Sequence, residues 1–296
     1  MVEIISIKDD RERALEQGRG VLAAGYPLAM PTETVYGLAA DATNPEAIAR
    51  IYEVKGRPQF NPLICHVADP AMAERLAVFD PLSLKLAERF WPGPLTLVLP
   101  LASASPIHPL ATAGLDSVGL RMPAGFAREL IAAFGRPLAA PSANTSGKVS
   151  PTTAQHVADD LGEKLPLILD AGPARVGVES TIVKIIDGVG HLLRPGGVPA
   201  EEIEAVLGAP VKRRKAGSAI ESPGMMASHY APAAAVRLNA TSVQPGEALI
   251  RFGNAALPGE EKARAVFELS PSGDLREAAA RLFDTLKLAD GPSAIA

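Results

Sequence analysis

The chain reads as an α/β protein in two unequal parts, and three features of the sequence say so. Strand-like and helix-like apolar patterns alternate through residues 1–207, the rhythm of an α/β domain. The pattern breaks between Lys212 and Pro232, where Lys212-Arg213-Arg214-Lys215 is followed by a stretch rich in Gly, Ser and Pro, the composition of a linker. A second, smaller strand–strand–helix–strand pattern then occupies residues 233–296.

Taken in order, Ile4–Ile7 is a strand, a helix starts near Asp9, and Leu28–Met30 is a strand running into Pro31-Thr32-Glu33-Thr34. Asn44 is an N-cap with Pro45 at the first helical position, and Ile48, Ile51 and Tyr52 share one helical face that ends at Lys55-Gly56. Leu63–Val67, Leu95–Leu99 and Ser117–Met122 are short apolar runs that read as strands. Helices are expected over Ala124–Phe134 and Thr153–Leu161, each stopped by a glycine. Strands follow at Leu167–Leu169, Thr181–Ile186 and His191–Arg194, then a helix at Glu201–Leu207. In the second part, Ala248–Phe252 and Ala265–Leu269 read as strands. Leu275, Ala279, Leu282, Phe283 and Leu286 mark one amphipathic helix, and Ala294-Ile295-Ala296 begins another strand.

Composition narrows the function. A net charge of -4 lacks the broad basic footprint of most nucleic-acid binders, so any RNA contact is local. A single cysteine, Cys65, rules out a disulfide framework and a multi-cysteine zinc site, in keeping with a reducing, cytoplasmic setting. Because no apolar run reaches the length of about 18 residues that a membrane span needs, the chain reads as soluble, with no membrane partner. There is no phosphate-binding glycine loop of either common type, no metalloprotease helix motif and no nucleophile elbow. The five histidines are too dispersed for zinc, and Cys65, inside Leu63–Val67, reads as a buried thiol.

What remains are polar residues at the ends of apolar strands, where α/β proteins bind ligands. Thr32, Glu33 and Thr34 follow one strand; a capped turn is the plain alternative. Lys55, Arg57, Asn61 and His66 lie along a turn feeding the next, with Arg57 pinned between Gly56 and Pro58. A guanidinium suits phosphate or carboxylate because its planar fork binds bidentately. Arg121 ends an apolar strand and must find a partner, whether structural or a ligand carboxylate. Pro141–Ser150 is dense in hydroxyls and backbone donors and can hold an anion or be a surface turn. Glu179-Ser180-Thr181 precedes a strand and Arg194-Pro195-Gly196 follows one. Together these segments make a polyanion site. A metal-cluster hydrolase would need several converging carboxylates, and Glu33 and Glu179 are the obvious ones.

In this order and spacing the segments resemble the YrdC-like family. The resemblance rests on Pro31–Leu38, Lys55-Gly56-Arg57, Asn61-Pro62-Leu63 with His66, Trp91–Thr96, Arg121-Met122-Pro123, Pro141–Asn144, Glu179–Thr181 and Arg194–Gly196, and covers nearly all of residues 1–207. Ser222-Pro223-Gly224-Met225 with His229-Tyr230-Ala231-Pro232 is similar to the linker of the family's long form. The resemblance implies a twisted mixed sheet with flanking helices over residues 1–207, a linker or lid over 208–232, and a small Rossmann-like α/β domain over 233–296. The long form continues past its final strand into a Gly-rich, Arg-containing segment, so the second domain is expected to be incomplete. Ala39 stands where the family often has glycine, at what reads as a close-packed turn.

The implied activity is synthesis of L-threonylcarbamoyladenylate from L-threonine, bicarbonate and ATP, for tRNA threonylcarbamoylation. Its partners are the downstream transfer machinery and, weakly, tRNA. Carried over by motif, Thr34, His66, Arg121, Ala140 and Ser180 form the threonine side. Arg57, Asn61, Ser117, Ser142, Asn144, Ser150, Arg194 and Tyr230 face ATP, and Lys55 joins the basic cluster. Lys55, Arg57 and Arg121 are the catalytic candidates. No protein metal site is expected, a Mg²⁺ ion being held by the phosphates. Tyr230 is the candidate lid residue. Two other readings stand beside this one: a non-enzymatic RNA-binding module using the same basic face, and a carbamoyl-transfer domain of the hydrogenase-maturation type, which needs Cys-rich segments that this chain lacks.

Overall fold

The computed structural model describes residues 2–58, 61–213, 223 and 230–296. Arg214 and Lys215 of the basic run, Gln59 and Phe60, and Ser222, Gly224, Met225, Met226 and His229 of the linker motif lie outside the described residues.

The first part runs β1 (Glu3–Ser6), α1 (Arg11–Ala23), β2 (Leu28–Met30), β3 (Gly37–Asp41), α2 (Pro45–Lys55), β4 (Ile64–His66), α3 (Pro70–Leu76), α4 (Pro81–Phe90), β5 (Leu95–Pro100), α5 (Pro109–Thr112) and β6 (Ser117–Arg121). It continues through α6 (Phe126–Phe134), β7 (Leu138–Ala139), α7 (Ala154–Leu161), β8 (Leu167–Asp170), β9 (Thr181–Ile186), β10 (Val189–Arg194), α8 (Ala200–Leu207) and β11 (Lys212–Arg213). Among the described residues these strands form one 11-stranded mixed sheet, in the order β1-β8-β2-β3-β7-β4-β6-β5-β9-β10-β11. Its centre is fully covered. All of β3 is buried, and small side chains such as Ala29, Ala39, Ala40 and Ala139 let the flanking elements approach closely.

Local sequence accounts for most helix boundaries. Asn44 accepts hydrogen bonds from the amides of Glu46 and Ala47, and Gly56 ends α2 in the left-handed conformation. Asp69-Pro70 and Asp80-Pro81 start α3 and α4 by the same cap-plus-proline device.

Two expectations change, and one strand forms where none was expected. Ala39 lies inside β3, opposite Leu28, and not in a turn. The segment Gly37–Asp41 is a strand although it holds no β-branched residue, because pairing with β2 and β7 satisfies its backbone. Lys212 and Arg213, read as linker, form the sheet's last strand, with both residues exposed.

The second part contains β12 (Ala248–Phe252), β13 (Ala265–Ser270) and α9 (Leu275–Ala289). β12 and β13 are parallel, and Ile295 makes parallel bridges to Val236 and Ala248, as the closing apolar residues suggested. A small core of Ala248, Ala289 and Ile295 sits between strands and helix.

The two parts touch through α9. Phe283 packs with Val35, Val149 and Tyr230, and the imidazole Nε2 of His156 on α7 lies 3.3 Å from the Asp284 carboxylate. Among the described residues no helix is long and apolar enough to cross a membrane.

Candidate active site

Strand register places the first two site residues side by side. His66 on β4 is paired with Arg121 on β6, one step from the Ile64–Gly119 pair on the same face. β10 adds a third through a bulge: the register shifts between Leu192 and Arg194, so that Arg194 comes to oppose Ile182 of β9. A bulge re-aims the side chain that follows it, here into the pocket. The cavity so formed is lined by Arg57, Arg121, Arg194, His66, Thr34 and Ser180, with Ala140, Ser142 and Glu179 beside them.

Each cation is held by the protein. The Arg121 side chain donates Nε–H to the Gly93 carbonyl at 3.2 Å and Nη1–H to Thr34 Oγ1 at 2.8 Å, and its Nη2 lies 2.7 Å from Glu33 Oε1. Thr34 is in turn fixed by Thr32, whose hydroxyl lies 2.9 Å away and also bonds the Val35 carbonyl at 2.6 Å. Arg57 donates to the carbonyls of Asn61 and Pro62, at 3.2 and 2.8 Å. Burial lowers its pKa to about 10, which leaves it a cation at neutral pH. Arg194 donates to the Ser180 carbonyl through Nε and Nη2, to Ser180 Oγ at 3.0 Å and to the Tyr230 hydroxyl at 3.4 Å. These partners spend only part of each guanidinium's five N–H donors.

His66 is neutral. Burial pushes its pKa down to about 3, nearby Arg121 adds to the shift, and Nδ1 has no hydrogen-bond partner among the described residues. An imidazole in that state reads a ligand by hydrogen bonding and not by charge.

The lone acidic group lining the cavity among the described residues is Glu179, which accepts a hydrogen bond from Ser150 Oγ at 2.8 Å and lies 3.5 Å from Arg194. Gly196 makes this arrangement possible: a Cβ there would lie 2.3 Å from the Glu179 carbonyl oxygen.

Lys55, expected in the basic wall, stands behind it. Its Nζ donates to the carbonyls of Ser142 and Asn144, tying the end of α2 to the hydroxyl-rich loop, and burial brings its pKa down to about 7. Asn144 is also spent internally, donating to the carbonyls of Thr145 and Lys148. Ser117 lines a neighbouring crevice with Pro62, Thr96 and Pro223. Cys65 is buried and its thiol pKa is pushed up to about 12, so it takes no part.

Comparison with known proteins agrees with this geometry. Residues 20–196 match a family model described as "Telomere recombination", and residues 198–296 match one described as "Threonylcarbamoyl-AMP synthase, C-terminal domain". The chain belongs to the Sua5/YrdC family of threonylcarbamoyl-AMP synthases. The threonylcarbamoyl-AMP synthase of Bacillus subtilis is 42% identical over 308 residues, 98% of this chain and 88% of that protein. That of Pyrococcus abyssi is 47% identical over 243 residues, 80% of this chain and 71% of that one. The crystal structure of P. abyssi Sua5 complexed with L-threonine superimposes with a TM-score of 0.86 at 38% identity, covering 100% of this chain and 91% of that one. The likeness therefore extends into the long form's C-terminal domain.

Two relationships at this family site escape sequence reading. The Glu33–Arg121 ion pair joins segments far apart in the chain, and Tyr230 is stacked on Phe283, whose spacing on α9 marks it only as a core residue. Thr96, inside the quoted motif, hydrogen-bonds Ser180 at 2.7 Å and so fixes a cavity hydroxyl from below.

Proposed function

We propose that this chain makes L-threonylcarbamoyladenylate from L-threonine, bicarbonate and ATP, releasing pyrophosphate and water. One observation carries the reading: a single cavity brings together three arginines, a neutral histidine and several hydroxyls, in a chain that superimposes on a relative crystallised with L-threonine.

The chemistry needs no enzyme nucleophile. The threonine amine adds to bicarbonate with loss of water to give a carbamate, a carbamate oxygen attacks the α-phosphate, and pyrophosphate leaves. Positioning and charge stabilisation therefore carry the rate. Thr34, His66, Arg121, Ala140 and Ser180 are assigned to threonine, with Arg121 facing its carboxylate. Arg57, Asn61, Ser117, Ser142, Ser150, Arg194 and Tyr230 are assigned to ATP, with Arg57 and Arg194 offsetting charge on the phosphates, and Asn144 shapes the hydroxyl-rich loop from within. Lys55 serves the nucleotide loop from behind.

The described residues contain no cluster of three His, Cys, Asp or Glu able to hold a metal, and Glu33 and Glu179 already have protein partners. That donor set fits a Mg²⁺ ion carried in by the nucleotide and held by phosphate and water oxygens, where it would neutralise phosphate charge. The catalytic unit is the large-sheet part and the second unit is the C-terminal part. The product is passed in the cytoplasm to the machinery that modifies tRNA, and contact with tRNA itself is weak.

The test is incubation with ATP, Mg²⁺, bicarbonate and each amino acid in turn, reading pyrophosphate and the nucleotide product by mass spectrometry. Threonine- and bicarbonate-dependent threonylcarbamoyl-AMP is the expected result. Salt-dependent RNA binding without turnover would overturn the reading in favour of a binding module.

A further inference from the structure

We propose that Phe283, on the helix of the second unit, is a positioning residue for the nucleotide side of the cavity, acting through Tyr230; this rests on the assignment of that cavity to ATP. The Tyr230 ring stacks on Phe283 with centroids 5.4 Å apart and an interplanar angle of 28°. Its hydroxyl reaches Arg194 Nη1 at 3.4 Å, and the amide of Ala231 bonds the Gly147 carbonyl at 3.1 Å.

Two further observations show that the stack is built in. Tyr230 has φ of 59°, a left-handed conformation that a bulky side chain adopts only when its surroundings impose it. The helix carrying Phe283 is seated against the site: Phe283 shares one buried apolar cluster with Val35, next to Thr34, and Val149 of the hydroxyl-rich loop. Gly177, two residues before Glu179, meets the same helix so closely that a Cβ there would lie 2.3 Å from the Ala280 carbonyl oxygen. The second unit thus sets where the Tyr230 hydroxyl sits, and the hydroxyl sets one edge of the Arg194 guanidinium.

The experiment compares ATP dissociation constants by calorimetry for the full-length protein, Phe283→Ala, Phe283→Leu, Tyr230→Ala and the Phe283→Ala/Tyr230→Ala double variant. Leu275→Ala, at a position 76% exposed on the same helix, serves as control. Phe283→Ala is expected to weaken ATP about five- to tenfold, with kcat at saturating ATP changed less than about threefold, and the double variant to bind no worse than Tyr230→Ala alone. Phe283→Leu keeps the apolar seat and loses the ring; it is expected to show the same effect at smaller size and carries the test if the alanine variant does not fold. Unchanged ATP affinity in both Phe283 variants, or losses that multiply in the double variant, would overturn the coupling. ATP binding by the wild-type protein without threonine-dependent product would overturn the proposed activity alone, and wild-type protein that binds no ATP would overturn both.

Discussion

Arg121 and Glu33 form an ion pair of 2.7 Å within the wall of the cavity, with 4% and 5% of their side chains exposed. The guanidinium assigned to the substrate carboxylate therefore has a carboxylate of the protein's own on one edge, and Thr34 on another. A buried charge stripped of its partner is costly, and the two halves of the pair should behave differently on mutation because Arg121 keeps its hydrogen bonds to Gly93 and Thr34 when Glu33 is neutralised.

Arg121→Ala leaves the buried Glu33 carboxylate without its cation and removes the guanidinium proposed to face the threonine carboxylate, and its threonine kcat/KM should fall by roughly two to three decades. Glu33→Gln keeps an acceptor for the Ala124 amide while removing the charge. Its effect should be confined to a several-fold change in the threonine KM, on the order of 1 kcal/mol. Steady-state kinetics with threonine as the varied substrate checks this. If Glu33→Gln proved as damaging as Arg121→Ala, Glu33 itself would be in contact with substrate.

Lys55 carries a different prediction, because it works on the loop and not on the ligand. A neutral amine still has two N–H groups, enough for the carbonyls of Ser142 and Asn144. Its pKa in the folded protein, about 7, lies below the ordinary lysine value of 10.5, so between those pH values the unfolded chain binds more protons. Stability contributed by this group therefore rises as pH increases through that window. Lys55→Met should unfold at a lower temperature than wild type, by several degrees on the usual scale for two lost buried hydrogen bonds. The gap between the two proteins should widen from pH 7 to pH 9. Thermal melts at the two pH values decide it, and a gap that stays constant would mean that Lys55 remains fully charged in the folded state.

Legibility in the sequence followed physical cause. Asn44-Pro45 and Gly56 announced α2 because both boundaries are local, and the same cap-plus-proline signature at Asp69-Pro70 and Asp80-Pro81 was open to the same reading. β3 was hidden because Gly37–Asp41 is stabilised by its neighbours and not by its own propensity. β11 was hidden because exposed basic residues at a sheet edge look like a solvated linker. The site divides the same way. Arg57, His66, Arg121, Ser180 and Arg194 were visible as polar residues at strand ends, and the structure brings them to one cavity. Lys55 shared their signature but faces loop carbonyls, a distinction that only the packing of α2 against that loop decides.

His66 gives an acid-side prediction. Its folded pKa of about 3 lies below the ordinary histidine value of 6.5, so the unfolded state binds more protons between them. The stability it contributes is complete above pH 6.5 and is lost as pH falls toward 3. His66→Gln should therefore flatten part of the decline in melting temperature between pH 6.5 and pH 4.5. Threonine affinity in the wild-type protein should show no inflection near pH 6.5 from this residue. Calorimetric titration across that range reads the second point, and a clear inflection abolished by His66→Gln would show that the imidazole is charged when ligand binds.

Gly196 offers the sharpest steric test. A methyl group there would lie 2.3 Å from the Glu179 carbonyl oxygen and 2.5 Å from the Ser180 carbonyl carbon, and both are backbone atoms with no rotamer by which to escape. Gly196→Ala must displace the Glu179–Thr181 segment, the Arg194 turn, or both. The first carries Ser180 and Glu179, and the second carries the guanidinium that bonds the Ser180 carbonyl. Overpacking of this kind costs about 1–3 kcal/mol, so the variant should remain folded with a lowered melting temperature. Its activity should fall far more than its stability, because Glu179, Ser180 and Arg194, all lining the cavity, hang on this crossing. Gly197→Ala is the matched control: its new Cβ would meet side-chain atoms of Val176 and Pro94, at 2.7 and 2.9 Å, and not the 179–181 backbone. Equal loss of turnover in the two variants would show that general destabilisation, and not displacement of Ser180 and Glu179, accounts for the effect.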